Sequence, residues 1–261
     1  AGISTFANDL YIADTIAHTG DLNTKIRFPA ADTITFETGG SERLRIDSGG
    51  RLIVGANANN DVGGFGGSAV QIEGLNAPTS SMSLLRHSND TAGSTILMGK
   101  SRGTSDAATT IVQDDDICAR IIAYGADGTD TESSLGAIQF DVDGTPGSND
   151  MPGRIVFSTT PDGAATYTER VRINSSGDLK FNQTQSKINL NTSDGSDNKY
   201  LSIGGGGDAS QSRGAGITLY GNEVGSNEGR LWIGAGNSGS TNGFISFNTA
   251  GSERARIDSS G

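Results

Sequence analysis

The sequence holds one cysteine, Cys118. No disulfide can close within the chain, and a zinc site built on cysteines is excluded. A lone cysteine reads as a small buried hydrophobe. Histidine is scarce too: His18 and His87 are the two present, which leaves little for imidazole chemistry. Five prolines, and glycines with no every-third spacing, exclude collagen. No apolar run approaches the roughly 18 residues of a helical membrane span. Hydrophobic residues make up 33% of the chain and aromatics 6%. The core is therefore thin, a deficit that stacked repeats or burial against identical chains would repair. The formal charge is −11, which argues against wrapping nucleic acid and favours solubility.

Glycine is abundant, with 39 of 261 residues. Interior glycines weaken helices, but they supply the positive φ of tight turns. Many short strands joined by turns are expected. The segment Phe6–Ile16 is the one place where a short helix is expected.

One phrase occurs three times. The first copy runs from Phe36 through Gly39-Gly40-Ser41-Glu42-Arg43-Leu44-Arg45-Ile46 to Asp47-Ser48-Gly49-Gly50. The second runs from Phe157 through Pro161-Asp162-Gly163 to Glu169-Arg170-Val171-Arg172-Ile173-Asn174-Ser175-Ser176-Gly177. The third runs from Phe247 through Ala250-Gly251 to Glu253-Arg254-Ala255-Arg256-Ile257-Asp258-Ser259-Ser260-Gly261. Side chains two apart on a strand share a face. Strict alternation puts Leu44 and Ile46 on one face and Arg43 and Arg45 on the other, and likewise in the other copies. Each unit reads as a hairpin with one apolar face, and the first two lead into further strands at Leu52–Val54 and Leu179–Phe181.

Other alternating runs fall at Val70/Ile72, Met82/Leu84, Ile96/Met98, Ile121/Ala123, Ile138/Phe140, Leu201/Ile203, Ile217/Leu219 and Leu231/Ile233. We divide the chain into a leader with the first hairpin (1–62), a middle β block (63–181) and a last β block (182–261). Residues 55–68 and Asn191–Lys199 read as linkers.

Several motifs do not support chemistry. Gly99-Lys100-Ser101 lacks the upstream glycine of a phosphate loop, where Ser94 stands. Gly204-Gly205-Gly206-Gly207-Asp208 is one solitary fragment of a calcium nonapeptide that works only in tandem. Asp114-Asp115-Asp116 cannot all converge on one calcium ion. No nucleophile elbow is present, and no carboxylate pair is marked for glycoside hydrolysis. We expect no enzyme, no cofactor and no metal. The Arg pairs are the informative polar feature. They read either as a patch for anionic glycans or as guanidinium bridges to carboxylates and carbonyls on a neighbouring strand or chain. Recurrence at one place in each module favours the second. The structural and interchain candidates are Glu42, Arg43, Arg45, Glu169, Arg170, Arg172, Glu253, Arg254 and Arg256. Trp232 joins them as a candidate interface seal, on the face opposite Leu231 and Ile233.

The phrase Ser41-Glu42-Arg43-Leu44-Arg45-Ile46-Asp47-Ser48-Gly49-Gly50 and its copies resemble repeats of phage tail-fibre proteins, frequent among phages of marine bacteria and cyanophages. The run Pro146–Gly163, Met98-Gly99-Lys100-Ser101-Arg102-Gly103 and Ile217-Thr218-Leu219-Tyr220-Gly221 are similar to other segments of those proteins. The resemblance implies a homotrimeric virion fibre that contacts other tail proteins and adsorbs to the host surface, where a glycan is a further candidate partner. It also implies a chaperone domain of the endosialidase type that trimerises the chains and cleaves itself off. The start, Ala1-Gly2-Ile3-Ser4, is expected for a piece of a longer chain. The expected fold is all-β: a trimeric fibre of small antiparallel meanders or sandwiches, with room for short β-helical linkers. The alternatives are a tailspike-like glycan depolymerase and a secreted bacterial β adhesin.

Overall fold

The computed structural model describes residues 10–206, 214–236 and 243–258. The protein is all-β, with two single 3-10 turns at Ala77–Thr79 and Gly225–Asn227 among the described residues. The chain divides into two compact units, 1–184 and 185–261.

The first unit holds two sheets. One contains β1 (Thr15–His18), β2 (Asp21–Ala30), β3 (Thr33–Thr38), β4 (Ser41–Ile46), β5 (Leu52–Val54) and β6 (Val70–Ile72), in sequence order. It is an antiparallel meander, except that β6 joins β5 in parallel. The other contains β7 (Ile117–Gly125), β8 (Ser133–Val142), β9 (Gly153–Thr159), β10 (Thr168–Ile173) and β11 (Leu179–Phe181), again in order. The second unit holds β12 (Tyr200–Gly204), β13 (Gly216–Tyr220) and β14 (Leu231–Gly234) as one sheet. The hairpin β15 (Ile245–Thr249) and β16 (Ser252–Ile257) is the other. Contacts between strands follow the ladders, so each sheet is a meander and the sandwich alternative has no counterpart within either unit.

Three local expectations are corrected. Phe6–Asp9 lie outside the described residues, and Leu10–Asp14 form no helix. Thr15–His18 instead enter a strand, where β-branched Thr15 and Ile16 are at home. Met82/Leu84 and Ile96/Met98 alternate as strands do, yet have no ladder partner in the chain. Finally, the 55–68 stretch is strand-free but anchored. Gly63 N donates to Thr131 O (3.0 Å), and the Phe65 ring stands edge-on to Tyr124 and under the Arg120 guanidinium.

Turn chemistry explains the hairpins. Gly39 and Gly40 both take positive φ (59° and 73°), as a two-residue primed turn requires. Ala250 (50°) and Gly251 (77°) repeat that turn in the third copy. After β4 the Asp47 carboxylate accepts from Gly49 N and Arg51 N, and Arg51 Nε closes on its other oxygen at 2.8 Å. Those bonds, the one from Arg51 N foremost, hold the Asp47 carboxyl below the usual range. Asn174 performs the same turn after β10, accepting from Asp178 N at 2.7 Å. The equivalent end of the third copy, Ser259–Gly261, lies outside the described residues.

Candidate functional site

Burial is inverted in these sheets. In β8, Ala137, Gln139 and Asp141 are buried while Ile138 and Phe140 are exposed. Register extends this across the sheet. Ile121, Ile138, Phe157, Val171 and Phe181 align as one apolar row through β7–β11. Arg120, Gln139, Val156, Arg172 and Lys180 align on the opposite face. The six-stranded sheet repeats the arrangement. Ile26, Phe36, Leu44, Val54 and Ile72 form one row. The other face carries Arg27, Thr35, Arg45, Ile53 and Gln71. Thr35 and Ile53 there are 1% and 0% exposed. In the second unit Leu201, Leu219 and Leu231 align, as do Ile203, Ile217 and Ile233. All but Leu201 of these six are exposed. A lone soluble sheet does the reverse and shelters its aliphatic face.

The polar faces are closed by the repeat phrase, through a device that strict alternation does not anticipate. In each copy the ladder slips by one residue at the first arginine. Leu44 pairs with Phe36 and Glu42 with Glu37, leaving Arg43 as the extra residue. Arg170 and Arg254 hold the same position. This β-bulge offsets the odd spacing, so the Glu and the second Arg, three apart, share a face. Arg45 Nε and Nη2 donate to the two Glu42 oxygens at 2.5 and 2.9 Å. Arg172 does so to Glu169 at 2.6 and 2.6 Å, and Arg256 to Glu253 at 3.0 and 2.9 Å. The bulged arginine instead caps the preceding strand. Arg43 Nε donates to Thr38 Oγ1 (3.0 Å), Arg170 Nε to Thr159 Oγ1 (2.7 Å) and Arg254 Nε to Thr249 Oγ1 (2.6 Å). Arg43 and Arg45 thus have different tasks, and the same-face pairing expected for them is corrected. The Arg256 guanidinium also lies 4.3 Å over the Phe244 ring, a cation–π contact.

Trp232 projects from the polar face, opposite Leu231 and Ile233, with Thr218 as its ladder partner. Its half-buried ring lies so close to Gly234 that a Cβ there would meet it at 2.1 Å. Thr218 beside it is buried and shares a 2.8 Å hydrogen bond with Ser202.

One polar cluster was not singled out by the sequence. Arg154 is pinned between Asp115 Oδ1 (2.6 Å), Asp143 Oδ1 (3.2 Å) and Asp141 Oδ2 (3.5 Å). Burial raises the Asp141 carboxyl above its ordinary range, against the pull of Arg154. Hydrogen bonds from Ser175, with help from Arg154, lower Asp143 to about 2. The signal available beforehand was Asp141-x-Asp143 leaving one strand while Arg154 enters the next.

The three adjacent aspartates diverge. Asp114 accepts from Gly144 N (2.7 Å), Asp115 from Arg154, and Asp116 from Arg102 at 2.6 and 2.8 Å. The Arg102 bonds foremost hold Asp116 far below the usual carboxylate range. No grouping of His, Cys, Asp and Glu suited to a metal occurs among the described residues. Lys100 reaches Asp116 at 3.5 Å, and Gly99–Ser101 open no helix. His18 ends β1 and His87 stands exposed between β6 and β7. Gly207 and Asp208 lie outside the described residues. No described helix is long and apolar enough to cross a membrane.

Ordered meanders with one exposed apolar face have counterparts among solved structures. The chain is similar to the carboxy-terminal domain of the bacteriophage T5 L-shaped tail fibre, with a TM-score of 0.50 and 17% identity. The match covers 74% of this chain and 81% of that one. The fold is similar to that of a phage tail-fibre domain. The same T5 domain with its intra-molecular chaperone domain matches with a TM-score of 0.50 and 17% identity, over 73% of this chain and 55% of that one. No family model matches the sequence, and no curated protein does.

Proposed function

We propose that this chain is a shaft segment of a bacteriophage tail fibre, a non-enzymatic virion rod that serves attachment to the host surface. The carrying observation is the inverted burial: registered apolar rows face outward on sheets whose polar faces are closed by their own Arg–Glu pairs. Three copies lay these rows toward a common axis and turn the arginine faces to solvent. Each large side chain so covered contributes about 1.5–3 kcal/mol. Three is the number that the resemblance of the repeat phrase implies, and parallel copies form a closed ring of identical contacts. The marine-phage repeats and the T5 domain's fold, seen in a protein titled as a tail fibre, support the same reading. In this reading the 1–62, 63–181 and 182–261 blocks are successive shaft modules, each carrying a copy of the phrase. Glu42, Arg43, Arg45 and their counterparts act within their own chain.

Multi-angle light scattering on the purified chain tests the proposal. A mass of three 26.8 kDa chains is expected; a stable monomer would overturn it. Adsorption competition, in which the protein blocks phage binding to cells, tests the attachment role.

A further inference from the structure

Residues 81–101 present a problem that no part of their own chain solves. Every residue from 75 to 102 is exposed. No backbone group of residues 81–101 bonds to another described backbone group. Yet Met82/Leu84 and Ile96/Met98 keep a strand's alternation, with Leu84 50% and Leu97 90% exposed. The two arms are laid alongside each other. Asp90 turns the chain, pairing with Arg86 and accepting from Ala92 N (2.9 Å). Ser94 Oγ donates to Leu84 O at 2.9 Å. The arms stand ready for a ladder and lack one. Backbone held extended in water has lost conformational freedom with no packing in return.

We propose that residues 81–101 are completed by the same segment of a second copy, through backbone ladders between chains. The inference rests on the multi-copy reading above and assigns this segment as the place where copies interleave. Three observations select another copy as the occupant. The segment leaves β6, an edge of its sheet, and arrives at β7, an edge of the next. A ladder added here therefore continues both apolar faces that the copies are held to share. Strand addition at an open edge is an established mode of association. Charge is complementary as well. Residues 75–102 carry Arg86, Lys100 and Arg102 against Asp90, a net +2 within a chain of −11. The segment is a basic strip, and the remainder of another copy is strongly acidic.

Hydrogen exchange read by mass spectrometry, on the intact protein whose mass has been measured, tests this. The expected result is a multi-copy mass with amides of 81–101 exchanging at least about 100-fold more slowly than in a free chain. A multi-copy mass with free-chain exchange over 81–101 overturns the interleaving and leaves the fibre reading standing. A monomer overturns both. A benzophenone side chain at position 97 supplies an independent readout. After irradiation and boiling, bands at multiples of the 26.8 kDa chain, with cross-links mapping to 81–101, are expected. Cross-links confined to single chains overturn the proposal.

Discussion

Glu42 and Arg45 are three residues apart on one strand, yet they meet on one face through two hydrogen bonds of 2.5 and 2.9 Å. The bulge at Arg43 brings them together, and the same relationship recurs at Glu169–Arg172 and Glu253–Arg256. Such a pair closes the polar side of a thin sheet without a second layer. A bidentate fork also sets orientation in a way a lysine cannot.

The pairing predicts a coupling. In a double-mutant cycle of Glu169→Ala and Arg172→Ala, unfolding followed by circular dichroism should give an interaction of about 0.5–1 kcal/mol. Deleting Arg170 removes the bulge and leaves Glu169 and Arg172 two apart, on one face. An alanine inserted between Val171 and Arg172 sends them to opposite faces. The insertion should destabilise far more than the deletion. Equal losses would count against the bulge argument.

The outward apolar rows predict a separation between assembly and surface. Ile138→Asp or Phe157→Asp places a carboxylate in the row shared by β7–β11 and should lower the solution mass to that of one 26.8 kDa chain, or block folding. Lys180→Asp, on the opposite face of the same sheet, should leave the mass unchanged. Light scattering on both variants decides.

Acid should weaken the fold in a defined window. Asp143 is held at about 2 in the fold, against an ordinary 3.8. Its folded value is depressed, so its contribution is fully present above 3.8 and is lost as pH falls toward 2. Asp47 and Asp116 are lowered as well and act in the same direction. Asp141 is raised, so its contribution is complete in acid and declines as pH rises through its folded value, a partial offset. Thermal midpoints measured from about pH 5 down to about pH 2 should fall, and Asp143→Asn should flatten that slope.

Trp232, the single tryptophan, reports on its own packing. In Gly234→Ala the new methyl would meet the ring at 2.1–2.2 Å. The ring must lift from the sheet, so emission should shift to longer wavelength and stability should fall by about 1–3 kcal/mol. An unshifted spectrum would show that the ring does not rest there.

The period-two runs that became strands were readable because alternation and turn residues are local properties. Ile138/Phe140, Ile217/Leu219 and the hairpin phrase are such cases. Met82/Leu84 and Ile96/Met98 carry the same alternation and remain without a ladder, because a strand needs a neighbour as well as a pattern. The bulge was harder to read. Its trace was the odd Glu-to-Arg spacing and the threonine ending each preceding strand at Thr38, Thr159 and Thr249.

The sequence by itself determined the all-β class, the turn positions and the three repeat hairpins, since glycine placement and side-chain alternation act over a few residues. Only the tertiary structure decided which face of each sheet is covered, that Arg43 and Arg45 differ in task, and that Arg154 gathers Asp115, Asp141 and Asp143. Those outcomes depend on ladder register, which joins residues distant along the chain and reverses a side chain's face with a slip of one position.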